Sequence, residues 1–238
     1  MSSRRIGAIV RKELAEYRRN RFLIGGMAIL PLVFSIEPLV AVVSLSRSAS
    51  SSLGGEHVLL YMLGIPVLVP VIVAATAVAG ERQQGTFEPV LSTPIRADEL
   101  LLGKALAALV PSLGVAYVVY ALFLALVELL AQPAVASALI QAPDLLAQAL
   151  FTPLLACWSI WVGTAISTRT GDPRVAQQLG LLASLPPVVF VLLVAVNAIP
   201  PTLGLAVGCA AILVVLDVVG WQIASRLFDR ERLITSTR

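Results

Sequence analysis

GERQQGTFEPVLSTPIRADELLLGK, residues 80 to 104, is the longest polar interruption between two strongly apolar runs of this chain. Its seven charged residues, Glu81, Arg82, Glu88, Arg96, Asp98, Glu99 and Lys104, are kept out of lipid, where a charge at mid-depth costs about 2.5 to 3.5 kcal/mol even on the lenient insertion scale. The stretch is therefore expected to face water. Within it Gly85 ends the incoming helix, Thr86 caps a new one through its hydroxyl, and Pro94 stops that second helix one or two turns later. The expected product is a short helix lying across the ends of two spans. A mere connection would be shorter, so the loop reads as a surface offered to another protein.

The composition agrees with a bilayer setting. Of the 238 residues 58% are hydrophobic and only 13% charged, with a mean hydropathy of +0.91, outside the range of an ordinary soluble domain. A net charge of +3 hints at nucleic acid, but the basic residues cluster by membrane side rather than along one face, which argues against a nucleic-acid partner. Cys157 and Cys209 fall inside apolar runs, where an unpaired thiol acts as a small hydrophobe, so no disulfide framework is implied.

Six apolar runs, near 22–45, 58–79, 105–127, 146–167, 175–196 and 203–224, each come close to the roughly 20 residues that cross a hydrocarbon core. All but one of the seventeen Lys and Arg lie on one side of these spans; the exception is Arg47. The positive-inside rule then places both termini and the 80–104 loop in the cytoplasm of a multi-pass plasma-membrane protein. Ahead of the first span Ile6, Ile9, Val10, Leu14 and Tyr17 recur at three- and four-residue steps, with Arg and Lys on the other faces. This is an amphipathic helix expected to lie on the cytoplasmic leaflet, in contact with membrane lipid, and not a cleavable signal peptide.

Irregularities within the spans mark further candidates. Pro66 and Pro70 in the second span, and Pro186 with Pro187 in the fifth, remove backbone donors and should kink or break those helices; broken helices either line a cavity or are absorbed by their neighbours. Gly204 and Gly208 form a GxxxG that admits a close helix neighbour. Glu37, before Pro38 in the first span, and Asp217 in the sixth are intramembrane acids. Asp217 is expected to lie shallow enough to reach water, whereas Glu37 stays open as part of a substrate or proton path. His57, the single histidine, cannot build a metal site alone and reads as an interfacial side chain. The 128–145 segment suits a short helix at the outer surface, and Asn197 begins the brief connection between the last two spans.

Catalytic motifs are missing. There is no GxxxxGK[ST] phosphate loop, no HExxH and no GxSxG, and Gly103 with Lys104 is followed by Ala105 rather than a hydroxyl. No cofactor is expected in this chain, so any nucleotide-driven work needs ATP and Mg on a separate subunit.

Glu81, Gly85, Thr86, Glu88, Leu91, Pro94, Glu99, Leu100, Gly103 and Lys104 resemble the first cytoplasmic loop in membrane subunits of type 2 ATP-binding-cassette (ABC) transporters. There an acidic residue, a Gly-Thr-x-Glu core, a Pro and a Glu-x-x-x-Gly-Lys end recur at this spacing. Arg11, Lys12 and Glu13 look like part of that family's elbow helix, and Phe228 to Glu231 like its closing segment. Pro89 and Arg96 depart from the pattern, standing where the family more often has Leu and Ser. The resemblance implies an all-α, six-span permease domain over residues 1–238, with an N-terminal elbow helix and a coupling helix between spans 2 and 3. Two such subunits, as a homo- or heterodimer, would form the translocation path and be driven by two cytoplasmic ATPase subunits, with export as the expected direction.

The loop chemistry suits that role in its own right. Glu88 is placed to meet basic groups on an ATPase, and Phe87 with Leu91 offers an apolar anchor. Glu81 either contacts the partner or pairs internally with Arg82 or the elbow helix. The translocation path is expected to include Glu37, Pro186, Pro187 and Asn197, and the sparse buried charge suggests hydrophobic or amphipathic cargo, lipids included. An alternative is a proton-coupled secondary carrier that titrates Glu37, although the halves of the chain show no internal repeat.

Overall fold

The amphipathic segment and the first span are two helices joined by a single residue. The computed structural model describes residues 2–45, 57–83 and 95–227, with Phe22 and Arg82 by backbone alone. Helix α1 (Ser3–Arg19) ends at Asn20, whose N–H reaches the Glu16 and Tyr17 carbonyls at 3.1 Å. The Asn20 side chain then caps α2 (Arg21–Val43) by accepting from the Leu23 N–H at 3.2 Å. One polar residue thus satisfies the end of the surface helix and the start of the first span.

The second span begins as a 3-10 turn, Val58–Gly64, and continues as α3 (Ile65–Gln83). Pro66 lies in the first turn of α3, where its fixed φ suits the helix start. Gly64 sits at the junction because a Cβ there would lie 2.7 Å from the Phe34 ring. The long helix α4 (Ala97–Leu130) follows, then a short α5 (Pro133–Leu139) and α6 (Ala142–Ser167).

The fifth span is broken into α7 (Pro173–Ala183) and α8 (Leu185–Ala195). Pro186 and Pro187 cannot donate to the carbonyls one turn back, so the helix stops at Ser184, whose hydroxyl donates to the Gly180 carbonyl at 2.8 Å. The last span is α9 (Leu203–Leu227). No strand occurs among the described residues, and six helical segments are long and apolar enough to cross a membrane.

Helix α3 is the buried centre of the bundle and α6 packs on it most closely. A Cβ on Gly163 would stand 2.9 Å from the Ala74 Cβ and 3.1 Å from the Val71 carbonyl, so only glycine admits this approach. Hydroxyls fasten the same interface. Ser159 donates to the Val67 carbonyl, and Ser167 accepts from the N–H groups of Val78 and Ala79 at 3.1 and 3.0 Å. By contrast α9 presents an exposed apolar face, and nothing stands near Gly204 or Gly208, whose expected close neighbour is not among the described helices.

The boundaries of the polar stretch differ from the expected ones. Helix α3 continues to Gln83 and α4 starts at Ala97, so Glu81, Glu99 and Lys104 belong to helices and are buried in protein rather than facing water. The expectation rested on the cost of charge in lipid; these charges avoid lipid by pairing with one another and with α1. The short helix expected between Gly85 and Pro94 lies outside the described residues.

Candidate functional site

The buried charges at this end of the bundle form one junction. Helix α1 lies against α4 through Ile9 and Glu13, spaced one turn apart. Glu13 therefore interrupts what would otherwise be the apolar stripe, and its side chain is only 3% exposed. Lys104 of α4, equally buried, donates to Glu13 Oε1 at 2.9 Å and to the Ala77 carbonyl at 2.9 Å, and pairs with Glu81 Oε2 at 2.9 Å. The Lys104 ammonium thus makes two hydrogen bonds and one further ion pair.

Lys12 closes the ring from the solvent side. Its Nζ lies 2.7 Å from Glu81 Oε1, 3.3 Å from Glu13 and 3.2 Å from Glu16. The three carboxylates converge as a metal site would, with oxygens within 4.8 Å of one another, but the Lys12 ammonium touches each of them. Burial opposes the charge on Lys12, yet the hydrogen bond to Glu81 and the fields of Glu13, Glu81 and Glu16 outweigh it and raise Lys12 above its ordinary value. The Tyr17 phenol is raised as well, first by burial and then by the same three carboxylates.

One turn earlier Glu99 holds the start of α1. Its carboxylate accepts from the Ser2 N–H at 2.7 Å and the Arg96 N–H at 3.3 Å, and pairs with Arg5 at 3.4 Å. It thereby satisfies open donors at the first turns of α1 and α4 together. Between Glu99 and Lys104, Gly103 leaves room for Ile9, since a Cβ would fall 2.6 Å from Ile9 Cγ2. Glu99, Gly103 and Lys104, the Glu-x-x-x-Gly-Lys end of the polar stretch, are thus the seat of α1.

The other candidate residues are scattered. Glu81 is turned inward to Lys12 and Lys104, the internal pairing with the amphipathic helix. Gly85, Thr86, Phe87, Glu88 and Leu91 lie outside the described residues. Glu37 is exposed on α2, near Tyr61. Asn197 stands exposed in the turn after α8 with φ of 57°, the left-handed conformation that asparagine tolerates at a helix end. Pro186 and Pro187 line a cavity of about 470 Å³ at the end remote from α1, between the 3-10 turn, α6, α8 and α9. Its walls are almost wholly apolar, with Phe151, Trp158, Phe190 and Leu213 among them.

Four polar residues, His57, Asp144, Asp217 and Glu13, have partners or surroundings that the expectations left out. His57 has a partner: its Nδ1 lies 2.7 Å from Asp144 Oδ1, with His57 partly exposed, Asp144 buried, and Tyr120 nearby. Asp217 is half-buried, with its Oδ1 enclosed and lacking a hydrogen-bond partner among the described residues. Glu13 carried a readable signal, an acid one turn after Ile9 on the apolar stripe. His57 and Asp144 had none, being 87 residues apart.

No curated protein matches the sequence. The model of the ABC-2 family transporter protein matches residues 7–229, which takes in α1 beyond its first turn, every span and the segment between α3 and α4. With a family match over nearly its whole length and six membrane-length helices, the chain belongs to the ABC-2 transporter family, as a multi-pass permease subunit.

Proposed function

We propose that this permease subunit works as half of a dimeric translocation path, coupled through residues 84–94 to a separate ATPase, and that it exports hydrophobic or amphipathic small molecules or lipids. Both ends of the chain and the 84–94 segment face the cytoplasm in this reading, as the distribution of Lys and Arg requires. ATP and Mg stay on the partner. Phe87 and Leu91 anchor the contact and Glu88 meets basic groups, while Gly85 and Thr86 shape the turn. The observation that carries the reading is the ionic junction. Glu81 near the end of α3 and Glu99 and Lys104 near the start of α4 are locked to α1, so the two helices flanking the coupling segment and the surface helix move as one body. A push on that segment is then transmitted to spans instead of being absorbed by a loose loop.

Purification of the tagged full chain from its native membranes tests this. An ATP-hydrolysing subunit should accompany it, and Glu88→Arg should lower the recovered hydrolysis by about tenfold or more, as loss of a central interface residue does. Recovery without any ATPase, or full recovery with Glu88→Arg, contradicts the proposal.

A further inference from the structure

We infer that the apolar cavity between α6, α8 and α9, together with Asp217 one turn beyond it, is a binding site for a lipophilic cation. The inference deepens the export reading above and rests on it for the direction in which such a molecule would travel. Two independent features converge. The cavity of about 470 Å³ falls within the roughly 300–1,000 Å³ typical of small-molecule sites and has almost no polar lining, so it takes an apolar body.

Asp217 supplies the charge. It follows Leu213 by one turn on α9, and Leu213 and the adjacent Leu216 both line the cavity, so the carboxylate lies at the cavity's edge. Its field reaches Cys157, the neighbour of the cavity residue Trp158. The enclosed Oδ1 has no hydrogen-bond partner, and no Lys or Arg pairs with Asp217 among the described residues. A half-buried carboxylate with one oxygen enclosed and without a donor is costly unless a cation completes it.

Aromatic rings complete the site. Trp161 and Trp221 meet edge to face with centroids 5.3 Å apart, each one turn from Cys157 and Asp217 respectively, and Trp158 stands in the cavity wall. Indole faces attract cations and tolerate apolar bodies. A neutral lipid tail would fill the cavity but leave Asp217 without a counter-charge, and a phosphate-bearing headgroup would be repelled by it.

These three tryptophans are the only ones in the chain, so its intrinsic fluorescence reports directly on the site. The full chain in phosphatidylcholine nanodiscs should show saturable quenching by tetraphenylphosphonium and none by tetraphenylborate, which has the same shape and the opposite charge. Asp217→Asn, nearly isosteric, should weaken phosphonium binding by about tenfold or more, since a desolvated charge pair is lost. Ala206→Phe, which fills the cavity and leaves the carboxylate in place, should weaken it as well. Equal binding of phosphonium and borate, or unchanged phosphonium binding by Asp217→Asn, would overturn the inference and leave a lipid-filled void. Co-purification with the ATPase is measured on the same variants. Absent phosphonium binding with an intact complex removes the cation site alone, whereas saturable binding without any ATPase removes the transporter coupling alone.

Discussion

Lys104 of α4 and Glu13 of α1 lie 2.9 Å apart, 91 residues distant in sequence, with each side chain only 3% exposed. A buried pair of this kind adds little net stability when complete, but removing one partner strands the other, at a cost of about 3 to 5 kcal/mol. The junction therefore acts as a position lock for α1 more than as a source of stability. Its value lies in specificity: only one seating of α1 satisfies Glu13, Glu81 and Glu99 together.

Lys104→Met should lower the thermal stability of the purified protein by about 3 kcal/mol, the lower end of that range, because Lys12 still reaches Glu13 and Glu81. Adding Glu13→Gln to Lys104→Met should cost less than the sum of the two single changes, since each relieves the charge the other strands. Strict additivity in the double-mutant cycle would show that the pair is not coupled.

The seat of α1 is also steric. Gly103→Val places its first side-chain carbon inside Ile9, and the overpacking should cost about 1 to 3 kcal/mol and expose α1 to protease. Ile9→Ala in the same chain should restore much of the loss by vacating the space. If Gly103→Val alone leaves protease resistance unchanged, α1 is not seated on α4 as described.

At the α3–α6 crossing the obstacle is backbone. A Cβ on Gly163 would meet the Val71 carbonyl at 3.1 Å and the Ala75 nitrogen at 3.2 Å, neither of which can swing aside. Gly163→Leu should abolish stable folding in detergent, and Gly163→Ala should destabilise by about 1 to 3 kcal/mol. Ala165→Ser, on the same helix, serves as the comparison with little expected effect. An unchanged melting curve for Gly163→Leu contradicts the crossing.

Alkaline pH should release α1. Lys12 and Tyr17 both have folded values above their ordinary ones of 10.5 and 10.0. A group raised in this way contributes fully below its unfolded value and loses that contribution as pH climbs through the folded one. Melting temperature should therefore carry this contribution unchanged up to about pH 10 and fall above it. The fall should be smaller in Tyr17→Phe. An identical alkaline profile for that variant would remove Tyr17 from the account.

The sequence made the spans legible because lipid reads composition: runs of about 20 apolar residues and one-sided Lys and Arg need no tertiary partner to be interpreted. The break in the fifth span was equally visible in Pro186 and Pro187, whose missing donors act locally. What escaped were charges whose company comes from distant elements. Glu81 and Lys104 look like loop residues until α1 arrives to bury them, and Asp144 looks like a surface acid until His57 meets it. Asp217 looks like a shallow acid near the end of its span until α6 brings Cys157 close to it. Periodicity reports which face a residue occupies and not what stands opposite.

The account depends on residues 84–94 lying on the cytoplasmic side, where a separate ATPase holds them. Thr86→Cys in a chain carrying Cys157→Ser and Cys209→Ser should be tested with a membrane-impermeant maleimide in inside-out and right-side-out vesicles. Labelling confined to inside-out vesicles, and slowed when the ATPase is bound, is the predicted result. Labelling from the outer side, or at a rate the ATPase does not change, would contradict the coupling role.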